Sequence, residues 1–128
     1  SFLLFEVDRF ALILDRFGAE TADQVLCRFT GILQNSLRTH DLVGRYGGNQ
    51  FLVILPLTDF KYAKNIADRI RSAVEVSYWG IAELQVTVSG GATFLEDEQA
   101  DDVIKHLADL VVLAKQKGRN RIETELID

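Results

Sequence analysis

Apolar and polar positions along the chain alternate between two periods, and the alternation divides it into short strands and amphipathic helices. Phe2 to Val7 is a short continuous apolar run, which predicts a strand buried on both faces. Phe10, Ile13, Leu14 and Phe17 then recur at helical spacing until Gly18. A second helix is expected from Thr21, where Gln24 three residues later fits a capping box, with Ala22, Val25, Leu26, Phe29, Ile32 and Leu33 on its core face up to Leu37. Leu42 to Tyr46 and Phe51 to Leu55 read as two strands of a hairpin, and Gly47-Gly48-Asn49-Gln50 between them supplies residues suited to positive φ. Thr58 or Asp59 caps a third helix whose core face is Ala63, Ile66, Ala67, Ile70 and Val74. Leu84, Val86 and Val88 alternate with Gln85, Thr87 and Ser89 as in a half-buried strand. Asp101 begins a last helix with Val103, Ile104, Leu107, Ala108 and Val111, ended by Gly118, and Arg121 to Leu126 adds a short edge strand.

The order β-α-α-β-β-α-β-α-β, with a central hairpin, predicts an α/β (α+β) sheet of about five strands with its helices packed mainly on one face. One proline, Pro56, and the absence of a Pro/Gly/Ser-rich linker make the 128 residues a single domain. A formal charge of -5 argues against broad binding of DNA or RNA. No apolar run is long enough for a membrane helix, so no membrane contact is expected of this domain. The single Cys27 among Val25, Leu26 and Phe29 is expected to be an inert buried thiol in a reducing cytoplasm. The chain opens on an apolar run with no leader before it, as if cut from something longer.

Four motifs in order carry a resemblance. Arg45-Tyr46-Gly47-Gly48-Asn49-Gln50-Phe51 resembles the Gly-Gly-Asp/Glu-Glu-Phe loop of the GGDEF family of diguanylate cyclases, with both acids turned into amides. Glu6-Val7-Asp8-Arg9-Phe10 is similar to that family's Asp-x-Asp-x-Phe, and Val86-Thr87-Val88-Ser89-Gly90-Gly91 to its Val-Thr-Val-Ser-x-Gly strand. Ala114-Lys115-Gln116-Lys117-Gly118-Arg119-Asn120 is similar to its Ala-Lys-x-x-Gly-Arg-Asn ending. The resemblance implies a ferredoxin-type sheet of the nucleotide-cyclase and polymerase-palm kind, within a domain over residues 1–128 whose N-terminal family segment is missing. It also implies bacterial second-messenger signalling, with two GTP molecules joined into cyclic diguanylate by a metal-assisted dimer.

Within that resemblance the metal ligands fall at Glu6, the Val7 carbonyl and Asn49, and Gln50 replaces a further acid of the loop. Magnesium favours carboxylate oxygens, so the amides at Asn49 and Gln50 lead to the expectation of a degenerate, non-enzymatic member. No catalytic residue and no resident cofactor are then expected; Glu6 is a weak metal candidate, and magnesium enters only with a bound nucleoside triphosphate. Leu14 and Ala11 stand where the family has an asparagine and a lysine for substrate. Asp23, Lys115 and Arg119 remain as vestigial nucleotide-binding positions, although helix-end preferences account for them equally.

Arg38-Thr39-His40-Asp41 has the Arg-x-x-Asp spacing of the family's inhibitory site, and Arg69 matches an arginine that completes it. An arginine fork matches guanine O6 and N7, and a carboxylate accepts from guanine N1–H. An exposed Arg–Asp pair of small energetic value is the plain alternative. The expected partners are cyclic diguanylate at Arg38, Asp41 and Arg69 and attached sensor or phosphodiesterase domains, with GTP and a second copy in a homodimer as further candidates. A GTP-binding regulatory domain, a residual cyclase, and a protein-interaction or dimerisation module with no nucleotide stay open as alternatives. His40 and His106 read as surface histidines, Tyr78-Trp79 as a turn packed on the sheet, and Glu96-Asp97-Glu98 with Asp101-Asp102 as a solvated acidic loop.

Overall fold

A computed structural model describes residues 1–94 and 100–124. Its elements are β1 (Phe2–Val7), α1 (Phe10–Phe17), α2 (Ala19–Ser36), β2 (Leu42–Arg45), β3 (Gln50–Ile54), α3 (Phe60–Val76), β4 (Val88–Thr93), α4 (Ala100–Gln116) and β5 (Ile122–Thr124). The sheet order is β2-β3-β1-β4-β5. Antiparallel pairing joins β1 to both β3 and β4, whereas β5 runs parallel to β4. The mixed sheet and its element order are those the hydrophobic pattern predicts.

Strand β1 is central, so successive side chains must be covered on opposite faces. Leu3, Phe5 and Val7 join one apolar cluster with Phe29 and Leu33 of α2 and Ile70 and Val74 of α3. Phe29 meets Phe5 and Phe51 edge-on, with ring centroids 5.9 and 5.0 Å apart. Leu4 points the other way, into Val103, Leu107 and Val111 of α4. The helices are therefore split between the faces, with α4 alone opposite the others, rather than gathered mainly on one. A β1 that is apolar at consecutive positions demands this arrangement.

Local corrections follow from chain geometry. Helix α2 starts at Ala19, with Gly18 as its N-cap and no side-chain cap, so the Thr21–Gln24 capping box does not form. Gly18 sits at φ 93° and ends α1 by donating its N–H to the Leu14 carbonyl, and its own carbonyl accepts from the Ala22 N–H, so the first turn of α2 already encloses Thr21. The alternating Leu84, Val86 and Val88 are all buried, but the strand runs from Val88 to Thr93. Its partner β1 ends at the Val7–Val88 pair, so residues before Val88 have no further strand to pair with there. Asp59 caps α3 by accepting from the Lys61 N–H. In the hairpin, Gly47, Gly48 and Asn49 all have negative φ, because a loop closed by Tyr46 N–H and Gly47 N–H on the Gln50 carbonyl needs no mirror-image turn. Cys27 is exposed on α2, not buried. Trp79 is buried and donates to the Val74 carbonyl, while Tyr78 is exposed. The predicted edge strand is present over Ile122–Thr124 and does not include Arg121; Glu125, Leu126 and Glu96-Asp97-Glu98 lie outside the described residues. Among the described residues no helix is long and apolar enough to cross a membrane.

Candidate functional site

Antiparallel pairing sets Glu6 of β1 directly opposite Gln50 of β3, so the end of β1 and the hairpin loop form one surface. The Gln50 amide donates to Glu6 Oε1 at 2.9 Å, and the Lys115 ammonium lies 2.7 Å from Glu6 Oε2. Asn49 grips Val7 twice. Its carbonyl accepts from the Val7 N–H, and its amide nitrogen donates to the Val7 carbonyl at 3.1 Å. The sequence motifs placed Glu6, Val7, Asn49 and Gln50 together but not Lys115 on Glu6; its position on the last turn of α4 is the signal that was available.

These residues do not make a magnesium cradle in this arrangement. The ion wants near-octahedral oxygen ligation with carboxylates in the set. Both oxygens of Glu6 are held by donors, and the Val7 carbonyl faces an amide nitrogen. Among the described residues no three His, Cys, Asp or Glu side chains converge on a point that would hold a metal.

Asp8 belongs to the frame rather than to the loop. It is buried, and its carboxylate accepts from Ser89 Oγ at 2.6 Å, Thr87 Oγ1 at 2.7 Å and the Asn120 N–H at 3.1 Å. Asn120 follows Gly118 and Arg119 in a run of positive φ that turns α4 into β5. Its side chain is held by Arg71 at 3.1 Å and by Glu75, both on α3. Arg71 is ion-paired with Asp68 and Glu75, and its hydrogen bond to Asp68 is the main reason that its pKa is raised above the ordinary arginine value. Arg119 keeps a buried Nε with no hydrogen-bond partner. Asp23 is exposed on α2, and Leu14 and Ala11 are exposed on α1; none of them joins the Glu6 cluster by a hydrogen bond or ion pair.

The second candidate region lies between the end of α2 and α3. Arg38 and Arg69 line one cavity of about 470 Å³ with Leu57, Thr58, Tyr62 and Ile66. Arg38 keeps 52% of its side chain exposed and donates through Nη2 to Thr58 Oγ1. Asp41 is turned back on the chain: Oδ2 accepts from the Arg38 N–H at 2.8 Å and lies 3.5 Å from Arg38 Nε. Its Oδ1 is buried without a hydrogen-bond partner. The geometry thus unites Arg38 and Arg69 and leaves Asp41 behind Arg38, outside the cavity lining. Tyr62 was not expected here, although Tyr62, Ile66 and Arg69 stand at i, i+4 and i+7 on α3, a spacing readable as one stripe. Arg71, two residues beyond Arg69 on α3, is largely covered by its partners. His40 is exposed and His106 half-buried, on different elements.

The family model "Diguanylate cyclase, GGDEF domain" matches residues 1–121. Diguanylate cyclase DgcM of Escherichia coli (strain K12) is 37% identical over 123 residues, which is 95% of this chain and 30% of that protein. The chain therefore spans about a third of the length of that curated relative. The active GGEEF domain of a diguanylate cyclase from Vibrio cholerae superposes with a TM-score of 0.89 at 25% identity, covering 99% of this chain and 83% of that one. A microbial GGDEF domain solved for its interaction with cyclic di-GMP superposes with a TM-score of 0.80 at 27% identity, covering 97% of this chain and 76% of that one. The expectation of a non-enzyme, drawn from Asn49 and Gln50, is corrected by these matches. A relative sharing 37% of its residues across nearly the whole chain is named a diguanylate cyclase, so the comparisons point to an enzyme family.

Proposed function

The chain belongs to the GGDEF family of diguanylate cyclase domains, and from that premise we propose that it responds to cyclic diguanylate, bound in the cavity between α2 and α3 by Arg38, Arg69 and Asp41. The observation that carries this reading is the shared cavity of about 470 Å³, which two arginines line while Arg38 stays half exposed. A guanidinium offers two parallel donors to guanine O6 and N7, or to phosphate oxygens. The buried, unpaired Asp41 Oδ1 supports a carboxylate that turns outward, since an orphaned acceptor is costly and guanine N1–H would satisfy it. The solved microbial GGDEF domain that interacts with cyclic di-GMP lends the ligand class. A bacterial cytoplasmic setting, attached sensor or phosphodiesterase domains, and pairing with a second copy belong to the same proposal.

Calorimetric titration with cyclic diguanylate tests it, beside Arg38→Ala. Binding that vanishes in the variant supports the reading. No binding by the natural sequence retires it.

A second reading concerns the hairpin end, where the orphaned Arg119 Nε and the partly exposed Lys115 are suited to phosphate oxygens of GTP. Titration with GTP, compared with Arg119→Ala, separates this site from the first.

A further inference from the structure

The cavity beside Arg38 has two walls that the charge chemistry does not explain. Tyr62 keeps 68% of its surface exposed, and Leu57 is wholly exposed. Neither side chain adds much to the core in that state. Leu57 also sits at φ 52°, a left-handed conformation that costs a leucine about 1–2 kcal/mol. Residues held at such a cost cluster where a loop meets a ligand.

The turn that presents Leu57 is fixed from both sides. Thr58 Oγ1 accepts from Arg38 and donates to the Pro56 carbonyl at 3.1 Å, and the Thr58 carbonyl accepts from Ser1 Oγ at 3.0 Å. Arg38 and the Leu57 turn are thus one mechanical unit. Across the cavity, Tyr62 shares a helix face with Ile66 and Arg69. Two guanidiniums alone would hold any phosphate. A flat ring and an aliphatic wall beside them suit the face of a purine.

We propose that Tyr62 stacks on a purine base of the bound nucleotide with Leu57 as an apolar wall of the same cavity, so that the site selects a base-bearing ligand over bare phosphate. The inference rests on the reading of this cavity as the cyclic diguanylate site and adds its base-recognising surface.

The test is a titration of the domain with cyclic diguanylate, with inorganic pyrophosphate as a base-free probe. Tyr62→Ala is expected to weaken cyclic diguanylate about 10-fold or more, the usual effect of removing a base-stacking ring. Tyr62→Phe, which keeps the ring, should stay within about 2-fold. Any affinity for pyrophosphate should be the same in all three proteins. Leu57→Gly gives an independent sign: relief of the left-handed strain offsets the entropy of glycine, so its melting temperature should hold while its cyclic diguanylate affinity falls. Wild-type affinity in Tyr62→Ala, alongside loss in Arg38→Ala, would overturn the stacking role and leave the site standing. Absence of binding by the natural sequence would overturn both.

Discussion

Asn49 and Gln50 differ from aspartate and glutamate by one atom each, yet that atom decides which way the loop's hydrogen bonds run. An amide nitrogen donates, so Gln50 can close on the Glu6 carboxylate and Asn49 on the Val7 carbonyl. A carboxylate at either position would face an acceptor instead. Asn49→Asp with Gln50→Glu would therefore gather three acids at the end of β1 with Lys115 as the nearby cation. Like charges so close destabilise one another until a cation or a proton arrives. We expect the double variant to melt below the natural sequence in chelator and to recover with millimolar magnesium. The natural sequence, whose Glu6 is already saturated by donors, should respond less. Scanning calorimetry with and without magnesium reads both effects, and equal magnesium responses would show that the amides rotate to serve as oxygen ligands.

Between β4 and α4 the fold depends on closeness that only glycine permits. A Cβ on Gly91 would stand 2.7 Å from Leu110 Cβ and 3.1 Å from the Leu107 carbonyl, both on α4. Gly91→Ala should therefore push α4 off the sheet and cost about 1–3 kcal/mol, as overpacking does. Gly31, inside α2, has nothing within 4 Å of its would-be Cβ. Gly31→Ala should stabilise by about 0.5–1 kcal/mol through helix propensity. Opposite shifts of the urea midpoint would establish the contrast; equal shifts would refute it. Elements of this kind were legible wherever one residue type repeats at a fixed period, as in α3, whose buried Ala63, Ala67, Ile70 and Val74 were all foreseen. Boundaries set by a partner were not. Leu84 and Val86 alternate like a strand and are buried like one, but the end of β1 decides where the ladder stops. At the candidate sites the residues were legible and their directions were not: Arg38 and Arg69 share a cavity, whereas Asp41 faces backwards, and Tyr62 was not singled out.

Across the whole molecule, one carboxylate ties together segments that are far apart in sequence. Asp8 binds Thr87, Ser89 and Asn120, separated from it by 79, 81 and 112 residues. Through Asn120 the same network reaches Arg71 and Glu75 on α3. It thereby fixes the turn that carries Arg119 and the helix that carries Arg69, one from each candidate site. A charged acceptor with three donors contributes more than an ordinary hydrogen bond, and its removal strands those donors inside the protein. Asp8→Ala should cost about 3 kcal/mol. The loss should appear as a lower urea midpoint with an unchanged slope, because the fold would still open as one unit. Asp8→Asn keeps the volume but loses the charge and sets an amide against three donors, so it should recover only part of the loss. A cost below about 0.5 kcal/mol for Asp8→Ala would mean that water replaces the carboxylate and that these bonds orient the turn without holding the fold. A cost near the expected value, with weaker titrations at both Arg119 and Arg69, would mean that the two candidate sites share a single structural anchor.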